Sequence, residues 1–217
     1  MAQHFQRELE RLKKKILSLG AMVEGNVRMA ISAIENKDAQ LAEKTIKSDT
    51  EIDHLEVDLE EDCLKILALH QPVAIDLRFI IAVLKINNDL ERIGDLAVNM
   101  AERALFLSTK PPIAVPFDLE GLVIKTQQML KDSLDSLVNL NPQLAREVCD
   151  TDDEVDAINR EMYDLVKNAI RTNPEQVDVL IPYLSVSRYL ERMADHATNI
   201  AEDVIYMIEG EIARHRS

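Results

Sequence analysis

Two segments of the chain carry oxygen-bearing side chains at a spacing suited to binding a cation. They read LERIGDLAVNMAE (90–102) and LERMADHATNIAE (190–202), so the second repeats the first at a constant offset of 100 residues. At about 100° per residue, positions i, i+4, i+8 and i+11 fall within a stripe roughly 80° wide on one helix face. The stripes comprise Glu91, Asp95, Asn99 and Glu102 in the first segment and Glu191, Asp195, Asn199 and Glu202 in the second.

An acidic pair also precedes each segment, again in matching contexts. Adjacent antiparallel helices in a bundle lie about 8–10 Å apart, so carboxylates on their facing edges can converge. The carboxylates of such a group repel one another unless a cation neutralises them. Oxygen ligands favour Mg, Ca, Mn or ferric Fe, with Zn also possible. Bridging carboxylates allow more than one ion. We therefore predict two metal sites, with Asp49, Asp53, Glu91 and Asp95 in one and Asp152, Asp156, Glu191 and Asp195 in the other.

The two predicted sites differ in charge. Glu56 and Glu60 extend the acidic stripe in the first half, whereas Asn159 and Tyr163 occupy the matching positions in the second. We expect the first site to bind cations more tightly. The alternative is that all these stripes are solvated helix faces and the protein is a metal-free scaffold.

The elements that must position these side chains are predicted to be helices. The chain has 5 Gly and 4% aromatic residues, and its apolar residues recur every three or four positions. The face opposite the first stripe is apolar and should be buried, with Leu90, Ile93, Leu96, Ala97, Met100 and Ala104. We predict an all-α fold of two tandem antiparallel three-helix bundles, six long helices in an internal duplication.

Helix boundaries follow from capping residues and prolines. Asp38 and Asn141 are expected N-caps, and Asn173 with Gln176 is expected to form a capping box. Pro182 should kink or fray the last helix. The proline-rich stretch 108–116 predicts a boundary between domains 1–109 and 110–217. The expected helices span about 5–35, 38–69, 73–107, 118–138, 141–172 and 173–214.

Composition excludes several classes of function. A formal net charge of −14 disfavours nucleic acid and anionic membranes as partners. The longest purely apolar run is too short to cross a bilayer, and no signal peptide precedes it, so we expect a cytoplasmic protein without direct membrane insertion. Cys63 and Cys149 are isolated and are interpreted as core residues.

A carboxylate-bridged, di-iron-like metalloenzyme is a rival interpretation. Residues 51–54 form the Glu-x-x-His unit of such enzymes, but the second half has Ala157 in place of the histidine. We interpret His54 and His196 as bystanders. Because no nucleophile–base pair, phosphate-binding glycine loop or HExxH motif is present, we expect no catalytic residues and no enzyme activity.

The doubled motif, together with Asp76-Leu77-Arg78 ahead of its first copy, closely resembles the PhoU family of bacterial phosphate-signalling regulators. The resemblance covers the whole chain and implies two three-helix bundles holding multinuclear iron or zinc clusters. It implies the eight ligands named above, with Asn99, Asn199, Glu102 and Glu202 as supporting ligands. It also implies a non-enzymatic role, often as a homodimer. Such a regulator represses the phosphate-starvation response, limits phosphate uptake, and links the ATPase subunit of the phosphate ABC transporter to the sensor histidine kinase.

Overall fold

The computed structural model describes residues 2–210, which form six helices joined by short connections. Within these residues there is no strand, so the predicted all-α class is confirmed. No helix in this range is long and apolar enough to cross a membrane. The helices are α1 (Ala2–Asn36), α2 (Ala39–His70), α3 (Ala74–Ser108), α4 (Leu119–Asn139), α5 (Pro142–Thr172) and α6 (Val177–Glu209), with a 3₁₀ turn at Pro174–Gln176.

Side-chain caps begin the helices where the sequence predicts them. The Asp38 carboxylate accepts hydrogen bonds from the backbone amides of Gln40 and Leu41 at the start of α2. Asn141 does the same for α5, with Pro142 at the first helical position. Each such cap stabilises a helix by about 1 kcal/mol because it satisfies amides that have no intrahelical partner.

The last helix differs from expectation at both ends. Asn173 makes no side-chain capping bond, and the 3₁₀ turn precedes α6, so the predicted capping box with Gln176 is wrong. The helix ends at Glu209, where Gly210 adopts a left-handed conformation with φ of 73°. The predicted extension to Arg214 lies outside the described residues. The helix continues through the buried Pro182, and a kink there stays a prediction.

Each half is an antiparallel three-helix bundle, as predicted. In the first half, Lys15 of α1 pairs with Asp62 of α2, and Asn87 of α3 bonds Glu56 of α2. In the second half, α4, α5 and α6 contact one another in the same arrangement. Helix α2 contacts α1 and α3, and α5 contacts α4, α6 and the 3₁₀ turn, so α2 and α5 are confined to their own halves.

The two bundles meet through α3 and α6, which pack antiparallel at the centre of the molecule. Helices α1 and α4 also touch across the halves, and the buried apolar residues of both halves form one continuous core. The residues predicted to lie opposite the first acidic stripe are all buried in it. The division into domains 1–109 and 110–217 stays a prediction. The acidic stripes of α3 and α6 thus lie on the two central helices, each beside one outer helix.

Candidate metal sites

The first acidic group lies where α2 packs against Gly94 of α3. A Cβ atom added to Gly94 would lie 3.3 Å from Oδ1 of Asp49, so the missing side chain lets the carboxylate approach α3. The pKa of Asp49 is raised to about 6 by burial and then by the charges of Asp53 and Asp95. The charges of Asp53 and Asp95 are therefore close enough to disfavour the ionised form of Asp49.

Glu91 belongs to the same group but has a cationic neighbour. Its pKa is raised by burial and by Asp95, and is partly lowered by Arg92. Arg92 Nε lies 3.4 Å from Glu91 Oε2, and its guanidinium also lies 3.5 Å from Asp95 Oδ2. Sequence reasoning missed this counter-charge, although an arginine follows the glutamate in both segments. The arginine compensates the carboxylates in part, and a bound cation would compete with it.

The second half draws its carboxylates together more closely. One ligand atom from each of Asp156, Glu191 and Asp195 lies within 4.8 Å of the others. Metal–oxygen bonds of about 2.0–2.6 Å place ligands on opposite sides of an ion about 4–5 Å apart, so this separation suits a single cation. Among residues 2–210, these three are the group of potential ligands whose atoms all lie within 4.8 Å of one another.

The charges of the second group also match a cation. Burial and Asp195 raise the pKa of Glu191, and burial followed by Asp152 and Asp156 raises that of Asp195. Arg188 and Arg192 partly lower the pKa of Glu191, and His196 and Arg192 partly lower that of Asp195. An all-oxygen donor set whose like charges are only partly compensated fits a hard cation or carboxylate-bound zinc, so the residues present fit the predicted metal.

Asp152 of the second half is held differently from Asp49 of the first. The Thr198 hydroxyl donates to Asp152 Oδ1 at 3.2 Å, and the matching position in the first half is Val98. Burial raises the pKa of Asp152 and the Thr198 hydrogen bond lowers it, while the Asp156 charge raises it. This hydrogen bond favours the ionised form of Asp152.

The positions that extend the stripes on α2 and α5 are Glu56 and Glu60 in the first half and Asn159 and Tyr163 in the second. Asn87 donates to the backbone oxygen of Glu56 at 3.0 Å, and burial and Glu60 raise the Glu56 pKa. In the second half the Ser187 hydroxyl donates to Asn159 at 2.6 Å, so this asparagine helps to pack α5 on α6. Tyr163 is 60% exposed and points away from the core.

The supporting ligands lie along the same helices. Asn99 and Glu202 are half-buried and Glu102 is exposed. Asn199 donates through Nδ2 to Asp89 Oδ1 of α3 at 3.2 Å, and His196 Nδ1 donates to the same oxygen at 2.8 Å. His196, interpreted from sequence as a bystander, therefore joins the two halves. No periodic signal on α6 could have revealed a partner from the other half.

The residues of the rival enzyme interpretation, Glu51 and His54, lie about one helical turn apart. Glu51 and His54 are both exposed on α2. Burial raises the pKa of the Cys63 thiol to about 12 and that of Cys149 to about 11, so both are protonated and unreactive near neutral pH. Neither pair resembles an assembled catalytic group.

Comparison with known proteins matches the chain to one family over most of its length. The PhoU domain matches twice, at residues 16–104 and 122–204. Among curated proteins, the phosphate-specific transport system accessory protein PhoU homologue of Clostridium acetobutylicum is 36% identical over 207 residues, covering 95% of this chain and 94% of that protein. The homologue of Aquifex aeolicus is 37% identical over 210 residues, with 97% and 95% covered.

Solved structures match the fold closely. The crystal structure of PhoU from Pseudomonas aeruginosa has a TM-score of 0.92 at 33% identity and covers 95% of this chain and 100% of its own. The phosphate transport system regulatory protein PhoU from Streptococcus pneumoniae has a TM-score of 0.85 at 30% identity, with 96% and 99% covered. Given the doubled domain match and this similarity along nearly the full length, the chain belongs to the PhoU family.

Proposed function

We propose that this protein is a non-enzymatic accessory and regulator of phosphate transport that binds metal ions through two acidic sites. Relatives that align with 95% or more of the chain are named phosphate-specific transport system accessory proteins. In this proposal the protein represses the phosphate-starvation response and limits phosphate uptake. It acts in the cytoplasm by linking the ATPase subunit of the phosphate ABC transporter to the sensor histidine kinase.

The observation that carries metal binding is the convergence of Asp156, Glu191 and Asp195 within 4.8 Å. In the first half, Asp49 has a pKa raised to about 6 by burial and by neighbouring carboxylates, which supports a similar role there. Both groups lie between an outer helix and a central helix. A cation in either site would replace repulsion between carboxylates with attraction.

The proposed ligands are the eight carboxylates of the paired motifs, with Asn99, Glu102, Asn199 and Glu202 in support. The proposed cofactor is the multinuclear iron or zinc cluster that the family resemblance implies. One ion fits between Asp156, Glu191 and Asp195, and the neighbouring carboxylates would bridge it to further ions. The metal would supply positive charge that fixes the outer helix against the central one. We also propose a homodimer.

Elemental analysis of the untagged protein as purified tests the metal sites. We expect iron or zinc in the wild type and loss of the first-site metal in an Asp49/Asp53/Glu91/Asp95 quadruple variant with asparagine and glutamine replacements. The matched variant replaces Asp152, Asp156, Glu191 and Asp195. Wild-type protein that holds no metal after reconstitution with either ion would contradict metal binding.

Binding and turnover assays separate the regulator from its rivals. The regulator is expected to bind the kinase's cytoplasmic sensory region or the transporter's ATPase subunit and to turn over no substrate. A metalloenzyme would show oxygen- or substrate-dependent chemistry that an Asp53/Asp95 double substitution abolishes. A metal-free scaffold would bind its partners equally well after chelation.

A further inference from the structure

Asp89, a carboxylate outside both predicted ligand sets, reaches across the centre of the molecule. It lies on α3 in the first half, and its side chain is 14% exposed. Its Oδ1 accepts hydrogen bonds from His196 Nδ1 at 2.8 Å and Asn199 Nδ2 at 3.2 Å, both on α6 in the second half. Two donors from one helix thus converge on one oxygen from the other.

Both donors lie just after Asp195, a predicted ligand of the second metal site. His196 directly follows Asp195, and Asn199 lies about one helical turn beyond it. Holding both side chains restrains the turn of α6 that carries Asp195. Because the Asn199 nitrogen is bonded to Asp89, the amide oxygen is left as the atom that can serve as a ligand.

We propose that Asp89 is a positioning residue for the second metal site, contributed by the first half of the chain. The inference rests on the proposed metal binding and deepens it, because it makes the ligand geometry of one repeat depend on a side chain of the other. Groups that orient ligands in this way commonly change metal affinity 10- to 100-fold when removed.

The internal duplication indicates that this support is one-sided. The positions matching Asp89 and His196 are Tyr189 and Leu96. Because leucine has no hydrogen-bond donor and tyrosine no carboxylate, the histidine–carboxylate pair is not repeated. On α3 itself, Asp89 lies about 200° around the helix from Glu91, so it belongs to a different face from the first acidic stripe. Its removal should therefore affect the second site and spare the first.

Zinc titrations by calorimetry in two backgrounds test the proposal. One background carries Asp49→Asn and Asp53→Asn and leaves the second site, and the other carries Asp152→Asn and Asp156→Asn and leaves the first. In the background that keeps the second site, Asp89→Ala is expected to weaken zinc binding at least tenfold. Asp89→Asn should recover most of this loss, since its amide oxygen can still accept both hydrogen bonds. In the background that keeps the first site, Asp89→Ala should change zinc affinity less than twofold.

Lys85→Met is the matched control for loosened packing between α3 and α6. Lys85 Nζ binds Asp203 at 2.8 Å across the same pair of helices, about two helical turns beyond Asp195 on α6. We expect it to leave zinc affinity within twofold of its parent, with circular dichroism confirming that each variant is folded at the titration temperature.

Three results would overturn the inference. The first is an unchanged second-site affinity in Asp89→Ala, and the second is an equal loss in Lys85→Met, which would make the effect one of packing. The third is an equal loss at the first site. Absence of zinc binding in both parent backgrounds and in wild type would instead refute zinc binding in the proposed function, and the inference with it.

Discussion

Replacing Asp49 by asparagine should stabilise the metal-free protein at neutral pH. The substitution keeps the shape of the side chain and removes one charge from a group that burial, Asp53 and Asp95 all disfavour in its ionised form. Because the raised pKa comes from the folded state, the folded protein binds more protons than the unfolded chain between the two pKa values. The stability contributed by the protonated group is fully present below pH 3.8 and is lost as the pH rises to about 6.

The size of the effect follows from the difference between the two pKa values. A pKa raised from 3.8 to about 6 gives an upper limit of about 3 kcal/mol, at about 1.4 kcal/mol per pH unit. The carboxylate is half-buried, so water screens a large part of this energy. We therefore expect Asp49→Asn to raise the free energy of unfolding by about 1 kcal/mol at pH 7.5, or Tm by about 2–4 °C for a chain of this size.

Thermal unfolding of chelator-treated protein at pH 7.5 and pH 3.5 measures this gain. The gain should nearly vanish at pH 3.5, where Asp49 is protonated in the folded protein and about two-thirds protonated in the unfolded chain. The exposed Asp58 on the same helix supplies the control, because Asp58→Asn removes the same charge with an expected change within 0.5 kcal/mol. An Asp49→Asn variant that is less stable than wild type at pH 7.5 without metal would refute the argument that Asp49 is electrostatically strained.

Three further outcomes are expected from the contacts of single residues. Thr198→Val should raise the pKa of Asp152, since it removes the hydrogen bond that favours the carboxylate, and NMR titration of the side-chain carboxyl carbon measures it. Cys63 and Cys149 should resist iodoacetamide at pH 8 in folded protein and react after denaturation, as mass spectrometry would show. Leu59→Ala should cost about 3 kcal/mol in urea unfolding because the fully buried side chain leaves a cavity.

The helices could be predicted from sequence because their determinants are local. Three- and four-residue spacing identified the buried face of α3, and Asp38 and Asn141 identified two starts. The prediction of how α6 begins was wrong, and the reason is also local. Asn173 has φ of −132° and ψ of 76° and makes no side-chain cap, while the next three residues form the tighter 3₁₀ turn.

The ligand sets could be predicted only in outline. The stripe spacing placed Glu191 and Asp195 on one face, and the paired-helix argument added Asp156. The contacts that tune these carboxylates were not predictable from helical periodicity. Thr198 on α6 donates a hydrogen bond to Asp152 on α5, and Asp89 contacts α6 from the other half of the chain.

The two acidic groups share a motif but relieve their charge by different means. The first group has Arg92 beside two of its carboxylates, yet it leaves Asp49 with a pKa of about 6. The second group has Arg192 near Glu191 and Asp195, adds a hydroxyl on Asp152, and holds its nearest ligand atoms within 4.8 Å. Higher charge favours tight binding at the first site, whereas closer assembly favours the second. The predicted order of affinities, with the first site tighter, therefore requires that relief of repulsion outweigh the work of drawing the ligands of the first site together.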